Sequence, residues 1–160
     1  MTDQPIDPSR EHNDRRSPQA PRLRDMVAAL LGAVPLAPSG SNLVIAEWTA
    51  EGTPEGGEPI RIAPLHLHDD DDEAWYVLEG TLGFRIGDDT VETGPHGSVI
   101  VPRGMPHTYW NPKPEPARYL IIMTAGINAL IEAIHSAGDR SQAAIEALFE
   151  RHGAKLLEKL

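Results

Sequence analysis

Short apolar segments alternate with turn-forming residues through most of this chain. Eight of these segments read as β-strands, at about 42–49, 60–68, 74–79, 81–86, 90–92, 97–102, 107–110 and 117–123. Glycine and proline mark the turns between them, as in Gly87-Asp88-Asp89 and Gly94-Pro95. Many short strands at regular spacing predict a mainly β fold, in which antiparallel strands close into a barrel or a sandwich.

Apolar residues recur at helical spacing on both sides of this β region. This spacing predicts three helices, at residues 22–32, 127–138 and 141–152. A further short helix is predicted from Leu156, Leu157 and Leu160. The C-terminal helices could cover the outside of a barrel, cap its open end or join a second subunit. The pattern leaves these three roles open.

The predicted organisation has three parts. Residues 1–20 combine prolines and charges with almost no large apolar side chains, which predicts a disordered tail. Residues 21–125 hold the short helix and the barrel, and residues 126–160 form a helical extension. A length of 160 residues fits one such domain.

Composition and charge indicate the compartment of the protein and make membrane and nucleic-acid binding unexpected. The chain has no cysteine, so it has no disulfide framework, and a reducing cytoplasm is the expected compartment. The first twenty residues contain no apolar run suited to a signal or a membrane span, so we expect a soluble protein. The net charge of -10 would repel phosphate backbones, so nucleic acid is not an expected partner.

Three histidines and one glutamate in two separate segments are candidate metal ligands. In Leu65-His66-Leu67-His68, strand alternation puts both histidines on one face. Glu73 follows five residues later, and His107 lies in the second segment. Imidazoles with a carboxylate suit Fe, Mn, Ni, Cu or Zn better than Mg or Ca. The alternative is that these are four ordinary polar residues on strands, but they would then leave buried polar groups unpaired. We predict one divalent transition metal.

These two segments resemble the paired motifs of the cupin superfamily. The first contains His66, His68, Glu73 and Gly80, and the second contains Pro102, Gly104, His107 and Asn111. The sequence around these residues is similar to that of small single-domain cupins related to quercetin dioxygenase. The resemblance implies a single jelly-roll barrel, also called a double-stranded β-helix, with His66, His68, Glu73 and His107 as ligands, and it implies a homodimer.

The resemblance also implies an activity, a dioxygenase-like oxidation of a small aromatic or enolic molecule. Glu73 would be both ligand and proton acceptor. Two other classes stay open: a non-redox metal-dependent isomerase, cyclase or decarboxylase, and a non-catalytic module that binds a small molecule or a metal.

Strand parity suggests which side chains would line a substrate cavity. Trp75 shares the face of Glu73, and Tyr109 shares the face of His107, so both are candidate substrate-lining residues. Aromatic residues in strands are more often part of the core. His135 falls in the last turn of a predicted helix, where the helix dipole explains it, and the acidic run 69–72 is interpreted as a solvated turn or as an aid to metal loading.

Overall fold

A computed structural model describes residues 25–26, 28, 30 and 34–160 of the chain. The predicted tail at 1–20 and most of the predicted helix at 22–32 lie outside the described residues. The described part contains nine strands and two helices. In chain order they are β1 (Leu43–Ala50), β2 (Arg61–His68), β3 (Glu73–Glu79), β4 (Leu82–Ile86), β5 (Asp89–Thr93), β6 (Ser98–Val101), β7 (His107–Trp110), β8 (Ala117–Thr124), α1 (Ala125–Ser136), α2 (Gln142–Arg151) and β9 (Ala154–Leu156).

The strands form two antiparallel sheets. One has the order β1-β8-β3-β6, and the other has the order β5-β4-β7-β2-β9. Neighbours in both sheets are mostly far apart in sequence, and β1 pairs with β8 from Leu43 opposite Thr124 to Ala50 opposite Ala117. This arrangement confirms the predicted mainly β jelly-roll fold.

The main core lies between the two sheets because alternate residues of each strand point inward. In β8 every second residue is buried, from Ala117 through Tyr119 and Ile121 to Met123. Glu73, Trp75 and Val77 are the buried positions of β3. Period-two alternation therefore places Glu73 on the same inner face as the core aromatics.

The helices α1 and α2 follow β8 and carry their own apolar cluster. The hydroxyl of Thr124 accepts a hydrogen bond from the backbone nitrogen of Ile127, which caps α1. Leu130 of α1 then packs with Ile145 and Phe149 of α2 and with Ala154. None of the described helices is long and apolar enough to cross a membrane.

The predicted third C-terminal helix is wrong, since Leu156 belongs to strand β9. Gly153, at a φ of 64°, ends α2 in the left-handed conformation, and the chain then runs antiparallel to β2, with Ala154 opposite His68 and Leu156 opposite His66. The leucines favour a helix locally, but β2 would otherwise keep a row of unpaired backbone groups on that side. The C-terminal extension therefore completes the sheet that carries three of the four candidate ligands.

Candidate metal centre

The four candidate ligands come from both sheets and meet between them. His66 and His68 lie on β2, His107 begins β7, and Glu73 begins β3 of the other sheet. His66 and His107 are direct cross-strand partners. The amide of Gly104 also donates to the carbonyl of His68 over 2.6 Å, which ties the turn before β7 to the end of β2.

The ligand atoms are buried and close together. The four residues are each less than a tenth exposed, and their nearest donor atoms all lie within 4.8 Å of one another. His66 Nε2 is 3.2 Å from His68 Nε2, and Glu73 Oε2 is 3.1 Å from His107 Nε2 and 3.5 Å from His68 Nε2. Donors that each lie about 2.1 Å from one ion in adjacent tetrahedral or octahedral positions are about 3.0–3.4 Å apart. The predicted convergence of the four side chains is confirmed.

Backbone carbonyls orient two of the three imidazoles. His66 Nδ1 donates to the carbonyl of Pro64 over 2.7 Å, and His107 Nδ1 donates to the carbonyl of Met105 over 2.9 Å. A neutral imidazole carries one proton, so Nε2 of each ring presents a lone pair to the centre. His107 Nε2 then faces a carboxylate oxygen, and two acceptors at that distance need a shared cation or a proton between them. The donor set therefore fits a metal ion.

His68 differs from the other two histidines. Its Nδ1 is buried and has no hydrogen-bond partner among the described residues. Ligating histidines usually donate this second nitrogen to a carboxylate or a carbonyl, which fixes the ring and raises its basicity. His68 is therefore the least anchored of the three rings.

Burial and mutual charge set the protonation of the cluster. Burial lowers the pKa of His66 to about 4, and the neighbouring His107 acts in the same direction. Burial by itself would raise the pKa of Glu73, but the imidazoles of His107 and His68 beside its carboxylate outweigh burial and lower that pKa to about 2. At neutral pH the site thus presents a neutral His66 and an ionised Glu73, which are the forms that bind metal.

A cavity of about 110 Å³ opens next to the ligands. His66, His68 and Glu73 form its polar floor, and Ile121 and Tyr109 form part of its wall. The opposite side comes from α1 and α2, through Ile127, Leu130, Ile131, Ile134, His135 and Phe149. Of the three roles left open for the C-terminal helices, capping this end of the barrel is therefore one that they fill.

The two candidate substrate-lining residues occupy different places. Tyr109 lies on the cavity wall, and its hydroxyl is 3.1 Å from the hydroxyl of Tyr119. Burial raises the pKa of Tyr109, so this phenol is protonated at neutral pH. Trp75 packs in the core, with its ring centroid 5.3 Å from that of Phe84 and 5.8 Å from that of His107.

Two cavity residues had no distinct signal in the sequence. His135 lies at the last turn of α1, as the helix-dipole interpretation expects, but it also lines the cavity mouth with its ring centroid 6.0 Å from that of Trp48. Phe149 lies edge-on to the ring of His66, with the centroids 5.6 Å apart. Only the packing of the helices against the barrel shows that these side chains line the same cavity as the metal ligands.

Two residues of the acidic run beside the ligands, Asp69 and Asp72, form surface ion pairs. Asp72 accepts from the guanidinium and the backbone amide of Arg103, and Asp69 lies 2.9 Å from the ammonium of Lys155. Both acidic side chains are exposed, and such pairs contribute little stability. His96 is also exposed, and its Nδ1 lies 3.1 Å from the hydroxyl of Tyr76.

Comparison with known proteins places the β region in a family. Residues 57–123 match the family model described as a cupin domain. No curated protein sequence matches the chain. A solved cupin protein from Bacteroides fragilis aligns with a TM-score of 0.50 and 14% identity over 62% of this chain and 80% of that one, which supports the shared fold.

Two solved enzymes show weaker likenesses. A sugar phosphate isomerase of the cupin superfamily from Silicibacter pomeroyi has a TM-score of 0.45 and 22% identity over 52% of this chain and 51% of its own. The polyketide cyclase RemF from Streptomyces resistomycificus has a TM-score of 0.43 and 28% identity over 53% and 56%. This chain thus spans about half the length of each enzyme. Residues 57–123 are a cupin domain.

Proposed function

We propose that this protein holds one divalent transition metal ion through His66, His68, Glu73 and His107, and that it is a dioxygenase-like oxidoreductase for a small molecule. One observation carries the metal proposal. His107 Nε2 and Glu73 Oε2 face each other at 3.1 Å while the other ring nitrogen of His107 donates to a carbonyl. The buried pair therefore needs a shared cation or a proton between its atoms, and a metal ion bound by all four side chains supplies that positive charge.

The chain's own residues supply a restricted chemistry. A bound transition metal would supply a Lewis acid and, if redox-active, a site for electron transfer. Glu73 is the ionised group on the cavity floor, and we assign it as the proton acceptor. Tyr109 keeps its proton and can donate a hydrogen bond into the cavity. The apolar walls of the barrel and of α1 surround this floor.

A non-catalytic binding module is the second candidate. Besides the ligands, the described cavity lining offers only Tyr109 and His135 as titratable groups. An isomerase or a cyclase commonly needs a matched acid and base beside the substrate. This scarcity favours either oxidation centred on the metal or simple binding over chemistry that moves several protons.

Metal analysis of the purified protein tests the first half of the proposal. We expect one equivalent of metal in the wild type and a loss of nearly all of it in the double variant His66→Ala plus His107→Ala. The matched control is His96→Ala plus His152→Ala, which removes two histidines outside the cluster. Stoichiometric metal retained by the first double variant would end the hypothesis.

Oxygen uptake tests the second half. The protein loaded with iron, manganese, nickel or copper is screened against small enediols, and consumption of oxygen with product formation supports the oxidation. Turnover that continues without oxygen, or with zinc in the site, would instead assign a non-redox reaction. The homodimer implied by the resemblance stays a prediction, which light scattering on the same samples would measure.

A further inference from the structure

We propose that the cavity selects a small aliphatic molecule that presents one oxygen-rich head to the ligand cluster, and that it rejects phosphorylated molecules. The position of the head rests on the proposed metal function. The preference for an aliphatic body rests on the cavity walls alone, so the two parts can fail separately.

Branched aliphatic side chains outnumber the aromatic ones in the walls that face the ligand cluster. Strand residues Ile62 and Ile121 lie on one side, and the inner face of α1 supplies the other. The apolar residues that α1 contributes are Ile127, Leu130, Ile131 and Ile134. These aliphatic side chains offer no hydrogen bond to a sugar hydroxyl, and a polar group placed against them would lose its hydration without compensation. The hydrogen-bonding groups of the wall are the hydroxyl of Tyr109 and the indole nitrogen of Trp48.

The charges around the cavity also exclude a phosphate. No lysine or arginine is present among the described residues that line it. Arg140 lies nearby, beyond Ile134, but its guanidinium donates to the backbone carbonyls of Ile134 and His135. Glu73 adds a negative charge on the floor, and His135 is exposed at the mouth. Apart from a metal ion held by the ligand cluster, a phosphate dianion inside would therefore face the carboxylate of Glu73 and no cationic side chain.

The cavity volume sets the size of the ligand. One water-sized group needs about 10–15 Å³ of cavity volume. A cavity of about 110 Å³ therefore has room for on the order of eight heavy atoms. A chelating head takes about half of them. The remaining space fits an aliphatic chain of about four carbons, which reaches from the floor towards Ile131 and the rim formed by Trp48 and His135.

A homologous series of probes tests this selection. The probes are n-alkyl hydroxamates from acetohydroxamate to hexanohydroxamate, with n-alkanols of the same lengths as probes that lack a chelating head. Calorimetry measures their binding to the zinc-loaded protein and to the metal-free protein. We expect affinity to rise about threefold to fourfold for each methylene until the chain fills the cavity, in both series, because each buried CH₂ removes a similar apolar area from water. Glycerol 3-phosphate should not bind.

Two variants of one wall residue localise the effect. Ile131→Ser should reduce the gain per methylene to less than twofold while leaving the affinity for acetohydroxamate unchanged. Ile131→Phe should shorten the longest chain that still gains affinity. Ile100→Ser is the matched control, since Ile100 is 69% exposed on β6 and lies outside the cavity. It should behave as the wild type.

Each outcome separates the two claims. Hydroxamates that bind the zinc-loaded protein with no dependence on chain length would overturn the aliphatic selection and leave the metal function standing. Alkanols that keep their chain-length trend while hydroxamates gain nothing from zinc would support the selection and overturn the metal function. Binding of glycerol 3-phosphate as tight as that of hexanohydroxamate would overturn the inference, as would an unchanged trend in both Ile131 variants.

Discussion

Acid should destabilise the metal-free protein through His66. Burial lowers the pKa of this imidazole from 6.5 to about 4 in the folded protein, whereas the unfolded chain restores the ordinary value. Between those two values the unfolded state binds a proton that the folded state does not. The free energy of unfolding therefore falls as the pH falls from above 6.5 towards 4.

The size of this effect follows from the shift. A difference of about 2.5 pKa units corresponds to about 3 kcal/mol when the pH passes through the whole interval. From about pH 7.5 to about pH 5 the loss is about 2 kcal/mol, because the folded state is still nearly unprotonated at the lower value. Glu73, with a pKa of about 2, adds its own loss only at lower pH, where unfolded glutamate begins to take up protons.

Urea unfolding of the chelator-treated protein at these two pH values measures the loss. The comparison is His66→Gln, which keeps a polar side chain at position 66 but cannot titrate. We expect the loss of stability between the two pH values to be about 2 kcal/mol smaller in the variant than in the wild type. An equal loss in both proteins, or a wild type that gains stability in acid, would refute the assignment.

Three further predictions concern the ligands and the packing. Metal competition should show that His107→Ala lowers the affinity for the metal at least about tenfold more than His68→Ala does. The reason is that a backbone carbonyl orients the ring of His107, whereas His68 has no such acceptor among the described residues. Equal losses of affinity in the two variants would contradict this. Phe149→Ala should lower the free energy of unfolding by about 3 kcal/mol in urea, since this α2 side chain is buried in a cluster with Leu130 of α1 and Ala154 of β9. Gly80→Ala should cost at least about 1 kcal/mol more than Gly56→Ala; both glycines have a positive φ, but only at Gly80 would a Cβ lie 2.6 Å from a backbone oxygen.

The strands and the ligand cluster were predictable because their signals are local. Alternation and the Gly/Pro turns predicted β7 at 107–110, where the structure has His107–Trp110, and they predicted β4 within one residue of its start. The His66-Leu67-His68 alternation determined that both rings share a face. Family resemblance then connected this segment to His107, since strand pattern alone does not say which strands become neighbours.

The remaining features depend on contacts between distant parts of the chain. Strand β9 has three residues, and its leucine favours a helix, but pairing with β2 across about ninety residues decides its conformation. Parity placed Trp75 and Tyr109 on the inner face, but parity cannot distinguish a core position from a cavity wall. The cavity lies where α1 and α2 pack over the barrel, so the role of His135 could not be read from its position in the last turn of α1.

The geometry of the centre implies a compromise between stability and function. The metal-free fold already holds three imidazoles and an ionised carboxylate together in a buried site, which costs folding energy and favours acid unfolding. The paired strands keep the ligands in place, because β2 is hydrogen-bonded on one side to β7 and on the other to β9. A ligand that binds only the folded state at a hundred times its Kd adds about 2.7 kcal/mol of stability, which is similar to the loss attributed to His66 at about pH 5. Metal at that concentration would therefore offset the acid sensitivity that the same four side chains create, as long as the pH stays high enough for them to bind it.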